Sequence, residues 1–176
     1  MDVEWKPSHD AKEDNSVALV QLYNGSVVVL IRVNLLFREF YESARTSTPF
    51  VLPEPLTAML KSPSILKVGL SVVEDAKKLE SLSKGLKVGG VYDVNKFPLY
   101  KRISKRGLAD LVALFFHVAL DKDKQMANWE KPRLTEAEVS YAATDAWASF
   151  FVFWRMMTLP YKFNAFITDM RTLMEQ

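Results

Sequence analysis

Two runs rich in β-branched and apolar residues, Val17 to Tyr23 and Ser26 to Val33, are separated only by Asn24-Gly25. Asn-Gly between such runs is the strongest short-range hairpin signal, because both residues tolerate the positive φ of a two-residue turn. The feature predicts two antiparallel strands. A third is expected upstream, where Met1, Val3 and Trp5 alternate with Asp2 and Glu4 and so place two carboxylates on one strand face.

Beyond the hairpin the periodicity alternates between helix and strand. Leu35 to Ala44 and Pro55 to Lys61 read as helices, and Ile65 to Leu70 as a short apolar strand. Val73 to Ser83 reads as a helix and Leu86 to Tyr92 as another strand. Strand, helix, strand favours a parallel crossover, which makes the sheet mixed. From Gly107 onward, Leu108, Leu111, Val112, Leu114, Phe115, Val118 and Leu120 recur near the 3.6-residue period. Pro132 then precedes Thr135-Glu136-Ala137-Glu138, a capping-box pattern expected to open a long helix reaching about Met157. Pro160 separates it from a final expected helix, Tyr161 to Met174. No repeats or low-complexity tracts interrupt this order, and the 176 residues read as one domain.

Composition narrows the chemistry. There are no cysteines and only two histidines, His9 and His117, which excludes disulfides and a zinc site built from Cys and His. Any metal must use oxygen ligands. No apolar run approaches the roughly 20 residues that span a bilayer, and the N-terminus lacks a signal-peptide pattern, so the chain reads as intracellular, in nucleus or cytoplasm, with no membrane partner. Asn24-Gly25-Ser26 matches a glycosylation pattern, but without a secretory context the turn reading is preferred. A net charge of +2 says nothing about nucleic-acid binding, because a local patch suffices. Lys101, Arg102, Lys105 and Arg106 put four cations into six residues; they read as a solvated loop or, with other support, as phosphate contacts.

Asp145 is the unusual residue of the long helix, set among Ala142, Ala143, Ala146 and Trp147. Small residues let a helix approach a sheet closely, so this carboxylate is placed to face the interior, where it needs a cation or a hydrogen-bonding partner. Tyr141, four residues earlier and about 40° around the helix, shares that face. The pair alone also fits an aspartate on a polar stripe beside a core tyrosine. Asp2 and Glu4 alone fit an edge strand facing water, and Glu74-Asp75 is what a helix dipole favours at its start. His117, on an apolar helix, reads as a satisfied core residue.

The conjunction of these acids is more specific than any one of them. Asp2-Val3-Glu4-Trp5, Lys67-Val68-Gly69-Leu70 through Glu74-Asp75 to Leu79, and Leu134-Thr135-Glu136 through Tyr141-Ala142-Ala143-Thr144-Asp145-Ala146 resemble the three exonuclease motifs of the DEDDy family, which includes the Werner syndrome exonuclease domain and ribonuclease D. Ala127-Asn128-Trp129 and the Val17 to Leu22 strand with Gln21 extend the resemblance, which covers the chain from Asp2 to about Trp154. It implies a ribonuclease H-like α/β fold: a mixed five-stranded sheet, three antiparallel strands then parallel ones, flanked by helices. Carried over by position, Asp2 and Glu4 match the first-motif acids, Asp75 the second, Asp145 the third, and Tyr141 the tyrosine that names the subclass. Lys122, seven residues before Trp129, stands where relatives often carry a lysine and is a candidate substrate contact. One departure is that only Met1 precedes Asp2, whereas relatives extend the first strand further. That points to a first strand truncated at its N-terminus, with a weaker hold on Asp2 and Glu4.

The activity so implied is metal-dependent 3′-5′ removal of nucleotides from DNA or RNA ends. Two divalent ions, Mg²⁺ or Mn²⁺, would serve the entering and leaving oxygens of phosphodiester hydrolysis, with Asp2 bridging them and Glu4, Asp75 and Asp145 holding one or the other. Tyr141 would orient the attacking water, being a poor base with an unperturbed pKa of about 10. Trp5 could stack on a terminal base or simply pack in the core. The competing reading is a catalytically silent nucleic-acid-binding or scaffolding module of the same fold. A fused or associated helicase, or repair or RNA-processing factors, are the expected partners.

Overall fold

The computed structural model describes residues 1–7, 15–44, 49–97, 100–103 and 107–158. The expected helix Tyr161 to Met174, His9, Lys105 and Arg106 lie outside the described residues.

Strand β1 (Asp2–Trp5) pairs antiparallel with β2 (Val17–Tyr23), Asp2 opposite Gln21 and Glu4 opposite Leu19, and β2 pairs with β3 (Val28–Ile31). The predicted hairpin is present, but its connection is four residues long, Asn24 to Val27, with Tyr23 opposite Val28. Gly25 takes the positive φ, +98°, whereas Asn24 uses its side chain: Oδ1 accepts from the amides of Ser26 and Val27, each at 3.0 Å. That side-chain turn replaces the second left-handed residue of a two-residue loop.

Helices α1 (Val33–Ala44) and α2 (Glu54–Lys61) follow, then β4 (Lys67–Gly69), α3 (Val72–Leu82) and β5 (Val91–Asp93). Strands β4 and β5 are parallel, as the crossover requires. The expected strand from Leu86 is confined to its last residues. Gly89 and Gly90 lie so close to the backbone of residues 61–65 that added Cβ atoms would meet Lys61 O at 2.5 Å and Pro63 O at 2.8 Å, so this stretch packs against that loop rather than extending a ladder.

The five strands among the described residues thus form a three-stranded antiparallel ladder, β1-β2-β3, and a two-stranded parallel one. The two meet edge to edge: Met1 N donates to Val68 O at 2.7 Å, and a Cβ on Gly69 would stand 2.5 Å from Met1 O. Gly69 is what lets β4 come this close to the start of β1.

Helix α4 (Leu108–Phe116) is shorter than its periodicity suggests. His117 ends it in the left-handed conformation, φ 58°, and is exposed, so it is a helix terminus and not the core residue expected. Val118 and Leu120 therefore lie beyond the helix.

Helix α5 (Glu136–Thr158) crosses the sheet, packing on β1 to β4. Its capping box forms as predicted: Glu138 Oε2 accepts from Thr135 N at 2.8 Å, and Thr135 Oγ1 accepts from Glu138 N at 3.3 Å. Ala142 and Ala146 are fully buried, so the helix sits close to the strands. Trp129, also fully buried, packs between Leu19 of β2 and Tyr141 of α5. No helix among the described residues is long and apolar enough to cross a membrane.

Candidate active site

The carboxylates of the three motifs converge because three elements meet at one end of the sheet. Strand β1 alternates, so Asp2 and Glu4 project from one face while Val3 enters the core. Helix α5 presents Tyr141 and Asp145 on its sheet-facing side, both buried. Carboxylate oxygens of Asp2, Glu4 and Asp145 lie within 4.8 Å of one another. Asp75, in the first turn of α3, stands outside that triplet but lines the same cavity of about 680 Å³, with Asp2, Glu4, Trp5, Lys122, Tyr141 and Asp145.

Crowding carboxylates in a buried place disfavours their charged forms. Burial, reinforced by Asp145, pushes Asp2 up to about 6. Burial and then Asp2 push Glu4 up to about 8. Asp75 rises to about 9 for the same two reasons. Burial and the Asp145 carboxylate raise the Tyr141 phenol above its ordinary value, so it remains protonated and able to donate. Gln21, fully buried opposite Asp2, places its amide beside Glu4 and favours the charged carboxylate, although neither amide atom meets hydrogen-bond geometry.

Lys122 supplies positive charge beside Asp145, while the Met1 ammonium acts on Asp2 and Asp75. Lys122 Nζ lies 2.8 Å from Asp145 Oδ2, 3.4 Å from the Tyr141 hydroxyl oxygen, which accepts, and 5.3 Å from the Tyr141 ring centre. Trp5 is half-buried against the main core, lines the cavity, and carries Lys78 Nζ over its ring at 4.6 Å. Lys101 is exposed and is not among the lining residues; of Arg102 the backbone alone is described. Gly107, Leu108 and Ala109, which follow the basic run, do line the cavity.

Residues the sequence did not single out complete the site. Asp93, buried at the end of β5, accepts from Ser71 N at 3.0 Å and Val73 N at 3.4 Å and so anchors the first turn of α3 beside Asp75. Gln125 and the exposed Met126 form part of the rim. No pattern pointed to them, because they lie in a strand end and an irregular loop.

The donor set fits a hard cation. Oδ1 of Asp145 and Oδ2 of Asp75 are buried without a hydrogen-bond partner, a costly condition that a divalent ion relieves. Oxygen-only ligands suit Mg²⁺ or Mn²⁺.

A family profile described as 3′-5′ exonuclease matches residues 1–159. The chain is 35% identical over 123 residues to human exonuclease 3′-5′ domain-containing protein 2, covering 65% of this chain and 19% of that protein. It is 27% identical over 164 residues to the mouse bifunctional 3′-5′ exonuclease/ATP-dependent helicase WRN, covering 90% of this chain and 11% of that protein. It therefore spans a minor part of either relative. Among solved structures, Escherichia coli RNase D, an exoribonuclease involved in structured RNA processing, superposes with a TM-score of 0.69 at 23% identity, over 99% of this chain and 43% of that one.

Proposed function

This chain belongs to the 3′-5′ exonuclease family, and from that premise we propose that it is an active exonuclease domain of the DEDDy subclass. It removes nucleoside monophosphates from the 3′ ends of DNA or RNA by hydrolysis supported by two divalent ions. The observation that carries this reading is the gathering of Asp2, Glu4, Asp75, Tyr141 and Asp145 around one cavity, with two orphaned carboxylate oxygens.

Asp2, Glu4 and Asp145 would hold Mg²⁺ or Mn²⁺, with Asp75 contributing from α3 across the cavity. Such ions, when bound, supply charge stabilisation to the phosphate oxygens and make water a stronger nucleophile. The chain's own residues do the rest. Tyr141, held protonated, donates a hydrogen bond that orients the attacking water. Asp93 and the Thr135–Glu138 capping box fix the helix starts that set Asp75, Tyr141 and Asp145. Trp5 and Met126 offer apolar surface to the terminal base at the cavity rim. Lys122 contacts substrate phosphate, and the basic residues Lys101, Arg102, Lys105 and Arg106 attract the strand before Gly107. The substrate is intracellular nucleic acid, in nucleus or cytoplasm, and the domain works alone or beside a helicase or processing factor.

The test is degradation of 5′-end-labelled single-stranded and recessed-duplex DNA and RNA with Mg²⁺, Mn²⁺ or EDTA, beside Asp145→Ala. The expected result is a metal-dependent ladder shortening from the 3′ end that vanishes in the variant. Binding without cleavage in every metal would instead favour the scaffolding module.

A further inference from the structure

We propose that Lys122 is an exchangeable counter-cation of this site: it neutralises Asp145 in the metal-free protein, yields that carboxylate to the metal, and then turns to the substrate phosphate, so that metal and nucleotide binding reinforce each other. The inference rests on the metal-binding reading above.

Asp145 is divided between two environments. Oδ2 accepts from Lys122 Nζ at 2.8 Å, whereas Oδ1 is buried without a partner. The Asp145 side chain is 4% exposed and that of Lys122 29%, so Lys122 is the more accessible member of the pair, and both line the cavity. Lys122 also belongs to neither α4 nor α5. It sits in the irregular segment between them, in a turn closed by Gln125 N to Lys122 O at 3.1 Å, and its long aliphatic stem can reorient without disturbing a helix.

A single ammonium is an incomplete substitute for divalent ions. It offers one charge to a cavity lined by four carboxylates, those of Asp2, Glu4, Asp75 and Asp145. Once ions occupy the triplet of oxygens within 4.8 Å, the ammonium finds itself beside positive charge and loses its claim on Asp145. An incoming phosphate restores a partner for it. Because Lys122 competes with the metal, it weakens metal binding in the absence of nucleotide, and because phosphate relieves that competition, each ligand raises the affinity for the other by the same factor.

The experiment is Mn²⁺ titration by calorimetry of the wild-type chain and Lys122→Met, with and without thymidine 5′-monophosphate as probe. In wild type the nucleotide is expected to raise Mn²⁺ affinity within the roughly 5- to 150-fold range usual for coupled sites. In Lys122→Met, Mn²⁺ alone binds more tightly than in wild type, and the nucleotide-dependent enhancement falls below the wild-type factor, leaving only the part that direct contact between metal and phosphate supplies. Equal or weaker Mn²⁺ binding by the variant, with the enhancement intact, overturns the proposal. Should Lys122→Met not fold, amine acylation of Lys122 in wild type, followed by mass spectrometry, gives the answer: labelling should rise with Mn²⁺ and fall again with nucleotide, and labelling indifferent to both overturns it. A wild-type chain that binds no Mn²⁺ at all removes the metal-site reading itself, an outcome distinct from failure of the exchange.

Discussion

Asp93 accepts the backbone amide of Ser71 at 3.0 Å, tying the end of β5 to the turn that opens α3. Ser71 takes a left-handed conformation, φ 62°, and makes no side-chain cap, so Asp93 does that work from another strand. Asp75 lies in the turn so fixed. Asp93→Ala is expected to cost about 1–2 kcal/mol, as loss of a helix cap does, and to lower exonuclease turnover more than an equally destabilising core substitution elsewhere. Chemical denaturation and single-turnover assays on matched variants would check this.

Gly69 is where β4 meets β1. A methyl there would stand 2.5 Å from Met1 O, a backbone atom with no side chain to swing aside. Gly69→Ala should therefore push β1 from β4, destabilise the fold by about 1–3 kcal/mol as overpacking does, and displace Asp2 from Asp145. Thermal unfolding and Mn²⁺ affinity would both fall; unchanged Mn²⁺ affinity would separate the strand contact from the site.

Tyr141→Phe removes the phenol while leaving the ring against Trp129, whose centre lies 5.9 Å away. If Tyr141 orients the attacking water, loss of one hydrogen bond to a charged group, roughly 1.5–3 kcal/mol, lowers turnover about 10- to 100-fold. Mn²⁺ affinity should hold. Full turnover in the variant would remove Tyr141 from the chemistry.

Acids whose folded pKa is raised contribute stability that is fully present below their unfolded values, near 4, and is lost as pH rises through the folded values. For Asp2, Glu4 and Asp75 that loss begins near pH 4, where the unfolded carboxylates ionise, and is complete at about 6, about 8 and about 9 respectively. The metal-free protein should thus melt at lower temperature as pH rises across this window. Divalent metal competes with those protons, so the stabilisation that Mn²⁺ gives should grow from pH 5 to pH 9 and disappear with EDTA. Differential scanning fluorimetry across that range checks both slopes.

Much of the site was legible because its residues sit on regular elements. Alternation in Asp2-Val3-Glu4-Trp5 and the Ala-rich face around Asp145 report orientation directly, and the Thr135–Glu138 box marks a helix start by local chemistry alone. What escaped depends on contacts between distant segments. The stop of α4 at His117 is invisible while Val118 and Leu120 continue the apolar period, and the shortness of β5 comes from Gly89 and Gly90 meeting residues 61–65. Asp93 carries no pattern, since its partners are backbone amides twenty residues upstream. Lys122 lies in an irregular segment, where only the resemblance to relatives pointed to it.

The most direct test of the central claim is anomalous diffraction from crystals of the chain soaked in Mn²⁺ with a nucleoside monophosphate. The expected result is Mn²⁺ density ligated by Asp2, Glu4 and Asp145, with the nucleotide phosphate against it and its base toward Trp5 or Met126. Density confined to other surface acids, with the cavity of Asp2, Asp75 and Asp145 free of metal under saturating Mn²⁺, would contradict the account.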